Sequence, residues 1–188
     1  MCERSGSLNL FFLSSFAQKT TVCLIKTSLG NIQIELYPEK APLTVTNFLK
    51  YVDSQLYDGT NFYRVCTPEN EKDRTIQIQV IQGGDVAPGK QFEPIPIETT
   101  NKTGITHQNG TISMARDQPN SATSSFFICI GNQPELDFAG KRNPDGQGFA
   151  AFGKVTEGMK VIKMIQAQKV NDQMLINPVT IYSIRRID

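Results

Sequence analysis

Short apolar segments recur along most of this chain, each closed by turn-forming residues, and only two stretches carry a helical period; that rhythm restricts the fold more than any other feature. An apolar run from Thr20 to Thr27 meets the turn residues Ser28-Leu29-Gly30-Asn31 and resumes as Ile32-Gln33-Ile34-Glu35-Leu36. Apolar and polar residues alternating beside a turn predict a β-hairpin with one buried face. Further strands are expected over 62–66, 76–82, 111–115, 126–130 and 149–155, with a last one following Pro178 and running to Ile187. After the hairpin, Pro42 suits the first turn of a helix, where its missing N–H would be unpaired anyway. Val45, Phe48, Leu49 and Val52 then share one apolar stripe, and Thr44, Asn47, Lys50 and Asp53 are expected to face outward. A second amphipathic helix is expected from Gly158 to about Ala167, with Val161, Ile162 and Ile165 on one side. Many short strands with two helices favour a closed barrel capped at its ends, because closure removes unpaired sheet edges. Periodicity alone leaves a two-sheet sandwich open.

A chain of 188 residues, 39% of them hydrophobic, can fill one core and is short for two. Lysine and arginine number 19 against 18 acidic residues, and no basic run interleaved with aromatics could track a phosphate backbone, so nucleic acid is not an expected partner. Leu8-Asn9-Leu10-Phe11-Phe12-Leu13 opens an apolar run too short to cross a bilayer, and Ser15-Phe16-Ala17 offers small residues where a signal peptidase reads them. Residues 1–17 are therefore expected to be a leader and 18–188 the mature domain, exported to the periplasm or beyond without stable membrane insertion. The competing reading is an N-terminal extension of a cytosolic protein. Cys2, Cys23, Cys66 and Cys129 are widely spaced and form no CxxC pair, which suits small buried hydrophobes better than a disulfide framework.

Counting excludes most catalytic constellations. His107 is the one histidine and no cysteine pair accompanies it, so no metal site is expected. It precedes the turn residues Gln108-Asn109-Gly110 and reads as a hydrogen-bonded structural group. Gly83-Gly84 lacks the Lys and Ser or Thr of a phosphate loop, and no Gly-x-Ser-x-Gly elbow is present. What remains is an arginine inside an apolar strand, Phe62-Tyr63-Arg64-Val65, followed after a loop by Val80-Ile81-Gln82-Gly83-Gly84-Asp85. By strict alternation Arg64 would share a face with Phe62 only if that face opened to a cleft; otherwise it is a surface residue.

From about Val22 to Asp188 an ordered set of motifs resembles a known family. The set comprises Gly30-Asn31-Ile32 with Leu36; Ala41-Pro42 with Asn47-Phe48; Tyr57-Asp58-Gly59-Thr60-Asn61-Phe62-Tyr63-Arg64-Val65; Gln82-Gly83-Gly84-Asp85; Ser113-Met114-Ala115; Ser125-Phe126-Phe127-Ile128; and Phe152-Gly153-Lys154-Val155 with Gly158-Met159. It is similar to the bacterial cyclophilins. The resemblance implies a closed eight-stranded antiparallel barrel capped by two α-helices, peptidyl-prolyl cis-trans isomerase activity, and no cofactor. It also implies Arg64 as the catalytic group, with Gln82 orienting it and contacting the substrate backbone. Val80, Phe127, Leu136 and Phe149 would line a proline pocket, Ala115 and the backbone of Arg116 a peptide groove, and Met114 would sit in the core. The partners expected on this basis are proline-containing polypeptides, bound by a monomer. A binding module with little turnover is the alternative.

Several groove positions depart from the family pattern. Gln79 stands where a pocket phenylalanine is usual, Ser125 where a glutamine is, Arg116 where an asparagine is, Glu135 where an aromatic is, and Phe149 where a histidine or tyrosine is. Loss of the aromatic at Glu135 implies weak cyclosporin binding. The segment from Cys66 to Thr75 is longer and more charged than the usual connection, and reads either as a flap near the groove or as a solvated loop.

Overall fold

The computed structural model describes residues 20–187. The expected hairpin is present as β1 (Thr21–Thr27) and β2 (Gly30–Leu36), in a register that pairs Ile25 with Ile32 and Cys23 with Ile34. The chain continues through α1 (Pro42–Asp53), β3 (Asn61–Cys66), β4 (Val80–Gly83), the short α2 (Thr100–Thr103), β5 (Thr111–Met114) and β6 (Phe126–Cys129). It ends with β7 (Ala150–Glu157), α3 (Met159–Gln166), β8 (Val170–Asn171) and β9 (Met174–Ile187). Neighbouring strands follow the order β1-β2-β7-β5-β6-β4-β3-β9, and β9 pairs back onto β1. The ring is closed, all of its pairings are antiparallel, and the two-residue β8 is appended to β9. Closure decides between the barrel and the sandwich in favour of the barrel.

The barrel is filled by side chains that the period-two pattern turns inward. Phe48 from α1 meets Phe126 and Phe152 in there, and Phe126 takes edge-to-face contacts from Phe48, Tyr57 and Phe62 at centroid distances of 5.6 to 5.8 Å. The buried Tyr57 hydroxyl donates to Ser124 O at 2.8 Å, which makes its enclosure affordable. Gly84 lies against this cluster at φ +75°, and a Cβ there would come within 2.5 Å of the Phe126 ring. The Gly83-Gly84 pair thus serves close packing of backbone on aromatics.

Three expectations need correction. The apolar stripe of α1 is buried as expected, but Thr44 and Asn47 are buried too. Two long connections cover that side: Glu98, between β4 and β5, accepts hydrogen bonds from Thr44 N, Thr44 Oγ1 and Leu43 N, and Asn47 Nδ2 donates to the O of Thr123, between β5 and β6, at 2.7 Å. Glu98 thereby caps the N-terminus of α1 from 54 residues downstream of Thr44. The strand expected over 76–82 begins only at Val80, because the Ile78 N–H bonds to the Glu71 carboxylate and not to a neighbouring strand. The last strand starts before Pro178, which it tolerates because pairing with β3 lapses between Met174 and Val179. The expected leader, residues 1–17, lies outside the described residues. Among those described, no helix is long and apolar enough to cross a membrane.

Candidate active site

A β-bulge answers why an arginine occupies this apolar strand. Pairing of β3 with β4 and with β9 slips between Phe62 and Arg64. One extra residue in the strand lets Phe62 and Val65 both face the core while Tyr63 and Arg64 both face the groove. The same alternation on β4 and β6 turns Ile81, Phe126 and Ile128 into the barrel and leaves Val80, Gln82, Phe127 and Cys129 on its outer side. There Val80, Phe127 and Leu136 form a second apolar cluster with Cys66, Ile78 and Cys129, against which Ala115 and Phe149 pack.

This cluster floors a cavity of about 590 Å³ that Arg64, Gln82, Ala115 and Arg116 also line. All eight residues singled out from the sequence therefore meet at one place. Phe127 forms the floor, its ring perpendicular to Phe149 at 5.2 Å and stacked on His107 at 5.8 Å. Behind it, His107 Nδ1 pairs with Asp137 Oδ1 at 2.7 Å and Nε2 with Ser113 Oγ at 3.0 Å. The one histidine is thus a buried support for the pocket floor, as its turn context suggested.

Arg64 is gripped from two sides. Its Nη1 donates to Gln82 Oε1 at 2.7 Å, and its Nε and Nη2 both donate to Gln173 Oε1 at 2.9 and 2.6 Å. Of the five guanidinium N–H groups, one on Nη1 and one on Nη2 are engaged by no described residue. On the Gln82 side the chain of bonds continues through Gln82 Nε2 to the Tyr63 hydroxyl at 2.7 Å, then to Ser125 and Asp85. Burial pushes the Tyr63 hydroxyl above the ordinary phenol range and keeps it protonated. Arg116 contributes more than backbone: its side chain donates to both Asp145 oxygens at 2.8 Å and to Gly148 O, and lies 5.2 Å from the Phe149 ring. It braces the wall that carries Phe149.

The departures also find their places. Gln79 does not line the cavity but faces the surface beside α3, and Ile78 occupies the pocket in its stead. Glu135 lies outside the cavity lining, its carboxylate accepting Lys141 N at 2.8 Å. The segment between β3 and β4 is neither a free flap nor merely solvated. Its Glu71 side chain is fully buried and accepts from Gln173 and Arg142, while Asn70 Nδ2 donates to Val65 O and Asp172 O. Nothing in local sequence pattern marks Gln173, which lies 109 positions from Arg64.

Residues 22–186 match the family model for the cyclophilin type peptidyl-prolyl cis-trans isomerase. The chain belongs to the cyclophilin family. Among relatives, the peptidyl-prolyl cis-trans isomerase cyp18 of Streptomyces antibioticus is 38% identical over 85% of this cyclophilin and 94% of its own length. Peptidyl-prolyl cis-trans isomerase A of Dickeya dadantii is 36% identical over 96% and 92% of the two chains. The fold recurs in the crystal structure of a Cryptosporidium parvum cyclophilin type isomerase, with a TM-score of 0.72 at 21% identity over 90% of this chain and 99% of that one. The C. parvum protein has also been crystallised in the presence of the dipeptide Ala-Pro.

Proposed function

We propose that this cyclophilin rotates Xaa-Pro peptide bonds in proline-containing polypeptides with Arg64 as its catalytic group. The carrying observation is a guanidinium clamped between the Gln82 and Gln173 amide oxygens at the rim of an apolar pocket, with N–H groups to spare. The barrier to rotation, about 18 to 20 kcal/mol, comes from amide resonance. As the bond twists, the prolyl nitrogen loses conjugation and becomes a pyramidal hydrogen-bond acceptor, which it is not in either planar isomer. An N–H aimed at that nitrogen therefore binds the transition state better than the substrate. No proton has to be transferred. A charge-assisted hydrogen bond of about 1.5 to 3 kcal/mol corresponds to roughly 10- to 150-fold in rate. The pyrrolidine ring is held by burial against Phe127, Val80, Leu136, Phe149 and Ile78, while Gln82 and the Ala115–Arg116 backbone border the path of an extended peptide.

The test is an NMR exchange or protease-coupled assay on Xaa-Pro peptides. Arg64→Ala is expected to lower kcat/KM by the factor above, and no acceleration by the wild type would sink the reading. Saturable binding without exchange would make the protein a proline-peptide-binding module.

The reading extends to a monomer with weak cyclosporin affinity, supported by the closed ring of strands and by the engaged carboxylate at Glu135. Sedimentation and inhibitor titration test these. Export rests on the sequence of residues 1–17, and mass spectrometry of the native N-terminus checks it: a start at Gln18 supports export and a start at Met1 refutes it.

A further inference from the structure

Gln173 reaches Arg64 from the turn between β8 and β9, and Glu71 reaches Gln173 from the segment between β3 and β4. Gln173 Nε2 donates to Glu71 Oε1 at 2.6 Å, and the remaining capacity of that carboxylate is taken by Arg142 and by Ile78 N. The Glu71 side chain is 0% exposed and that of Arg142 10%. Arg74 adds a looser contact at 3.4 Å from an exposed position. Although burial favours the neutral acid, the Arg142 guanidinium holds the Glu71 carboxyl below the ordinary glutamate range, so it is charged near neutral pH.

An ionised carboxylate can only accept hydrogen bonds. Glu71 therefore demands the NH₂ end of the Gln173 amide and turns its carbonyl toward Arg64. With the amide reversed, NH₂ would confront a guanidinium, donor against donor. The single Gln173 oxygen then takes both Nε–H and one Nη2–H, which sets the plane of the guanidinium and hence the direction of the unengaged N–H groups at its tip. Asn70 secures the arrangement by joining the Glu71 segment to Asp172, the neighbour of Gln173.

We infer that Glu71 is a positioning residue for isomerisation: acting through Gln173, it holds the Arg64 guanidinium in the orientation that meets the prolyl nitrogen. This rests on Arg64 being the catalytic group. From the segment Cys66 to Thr75, set apart by its length and charge, Glu71 thus supplies part of the catalytic apparatus from outside the cavity lining.

Glu71→Gln keeps the volume and removes the acceptor-only character; Gln173→Leu removes the link itself. In NMR exchange measurements that separate kcat from KM, each variant is expected to lose about three- to tenfold in kcat, with KM within twofold of wild type. The ¹⁵N-labelled Arg64 Nε–H resonance should shift in both. In an Arg64→Ala background, Glu71→Gln should change the residual rate no further. An unshifted Arg64 resonance with undiminished kcat in a folded Gln173→Leu protein overturns the inference, as does an equal further loss in the Arg64→Ala background. If Arg64→Ala alone retains wild-type exchange, the catalytic reading fails and the rate claim with it; a relay failure is instead marked by an active-site arginine that is essential but indifferent to Glu71.

Discussion

Truncation of Phe127 separates binding of the proline ring from rotation of the bond. The ring is the floor of the pocket, 4% exposed and flanked by Val80, Leu136 and Phe149. Burying the three CH₂ groups of a pyrrolidine is worth about 0.8 kcal/mol each, so about 2.4 kcal/mol in all. Phe127, equal in size to Phe149 but forming the floor, takes a large share of this contact. Assigning it two-fifths gives about 1 kcal/mol, or roughly a fivefold weaker complex. If Phe127 holds the proline ring as proposed, it does so in both planar isomers and in the twisted state, so the loss is uniform: KM should rise about fivefold while kcat holds within twofold. Arg64→Ala should do the reverse, lowering kcat. Phe127→Ala also removes support from His107 and Phe149, at a stability cost of up to about 3 to 5 kcal/mol. The assay therefore runs at 10 °C with urea unfolding as a control, beside the milder Phe127→Leu. Two-dimensional NMR exchange on an Ala-Pro peptide over a range of concentrations yields both constants. A fall in kcat as large as that of Arg64→Ala, with KM unchanged and the protein folded, would refute the division of labour between pocket and guanidinium.

Glu98→Ala removes the acceptor at the N-terminus of α1 and should cost about 1 to 2 kcal/mol in urea unfolding with little effect on kcat. Arg185 holds Asp58 below the ordinary aspartate range by hydrogen bonding to it. The stability that pair contributes is complete above the unfolded pKa of about 3.9 and disappears as pH falls through the lower folded value. Wild type and Arg185→Gln should thus differ in stability at pH 6 and converge as pH falls through the lowered folded-state value of Asp58, as followed by thermal melts. Burial raises the thiol pKa of Cys23 to about 12 and of Cys66 to about 11, and raises that of Cys129 as well. None of the three should react with a thiol reagent in the native protein at pH 8, and all should react in urea, as mass spectrometry of the labelled protein would show.

The features that local pattern carries were legible in advance. Alternation along β1 and β2 and the α1 stripe from Val45 to Val52 follow from strand and helix periods, whereas the place of Val80, Gln82 and Phe127 at the groove was implied by the family resemblance. Arg64 stood out because an arginine between Phe62 and Val65 violates its surroundings, and the bulge that resolves the conflict is a register property no single strand reveals. Thr44 and Asn47 depart from expectation for a related reason: their polar character is real, but their partners Glu98 and Thr123 arrive from two distant connections. Gln79 was set at the pocket phenylalanine's place by the resemblance, whereas Ile78 shares the outward phase of Val80 and Gln82 and so stands in the pocket.

The amino-acid sequence by itself determined the strand-rich class, the two capping helices and the out-of-place arginine, since each depends on neighbours within a few positions; the apolar residues of its pocket, spread from Val80 to Phe149, were reached only through the ordered resemblance to the family. Tertiary structure alone decided which way the arginine points. The carboxylate at Glu71 and the amide at Gln173 meet across 102 positions of chain, and only closure of the barrel brings them to the same side of Arg64. Hydrogen-bond direction is a property of assembled partners, so it is written in the fold and in no stretch of sequence.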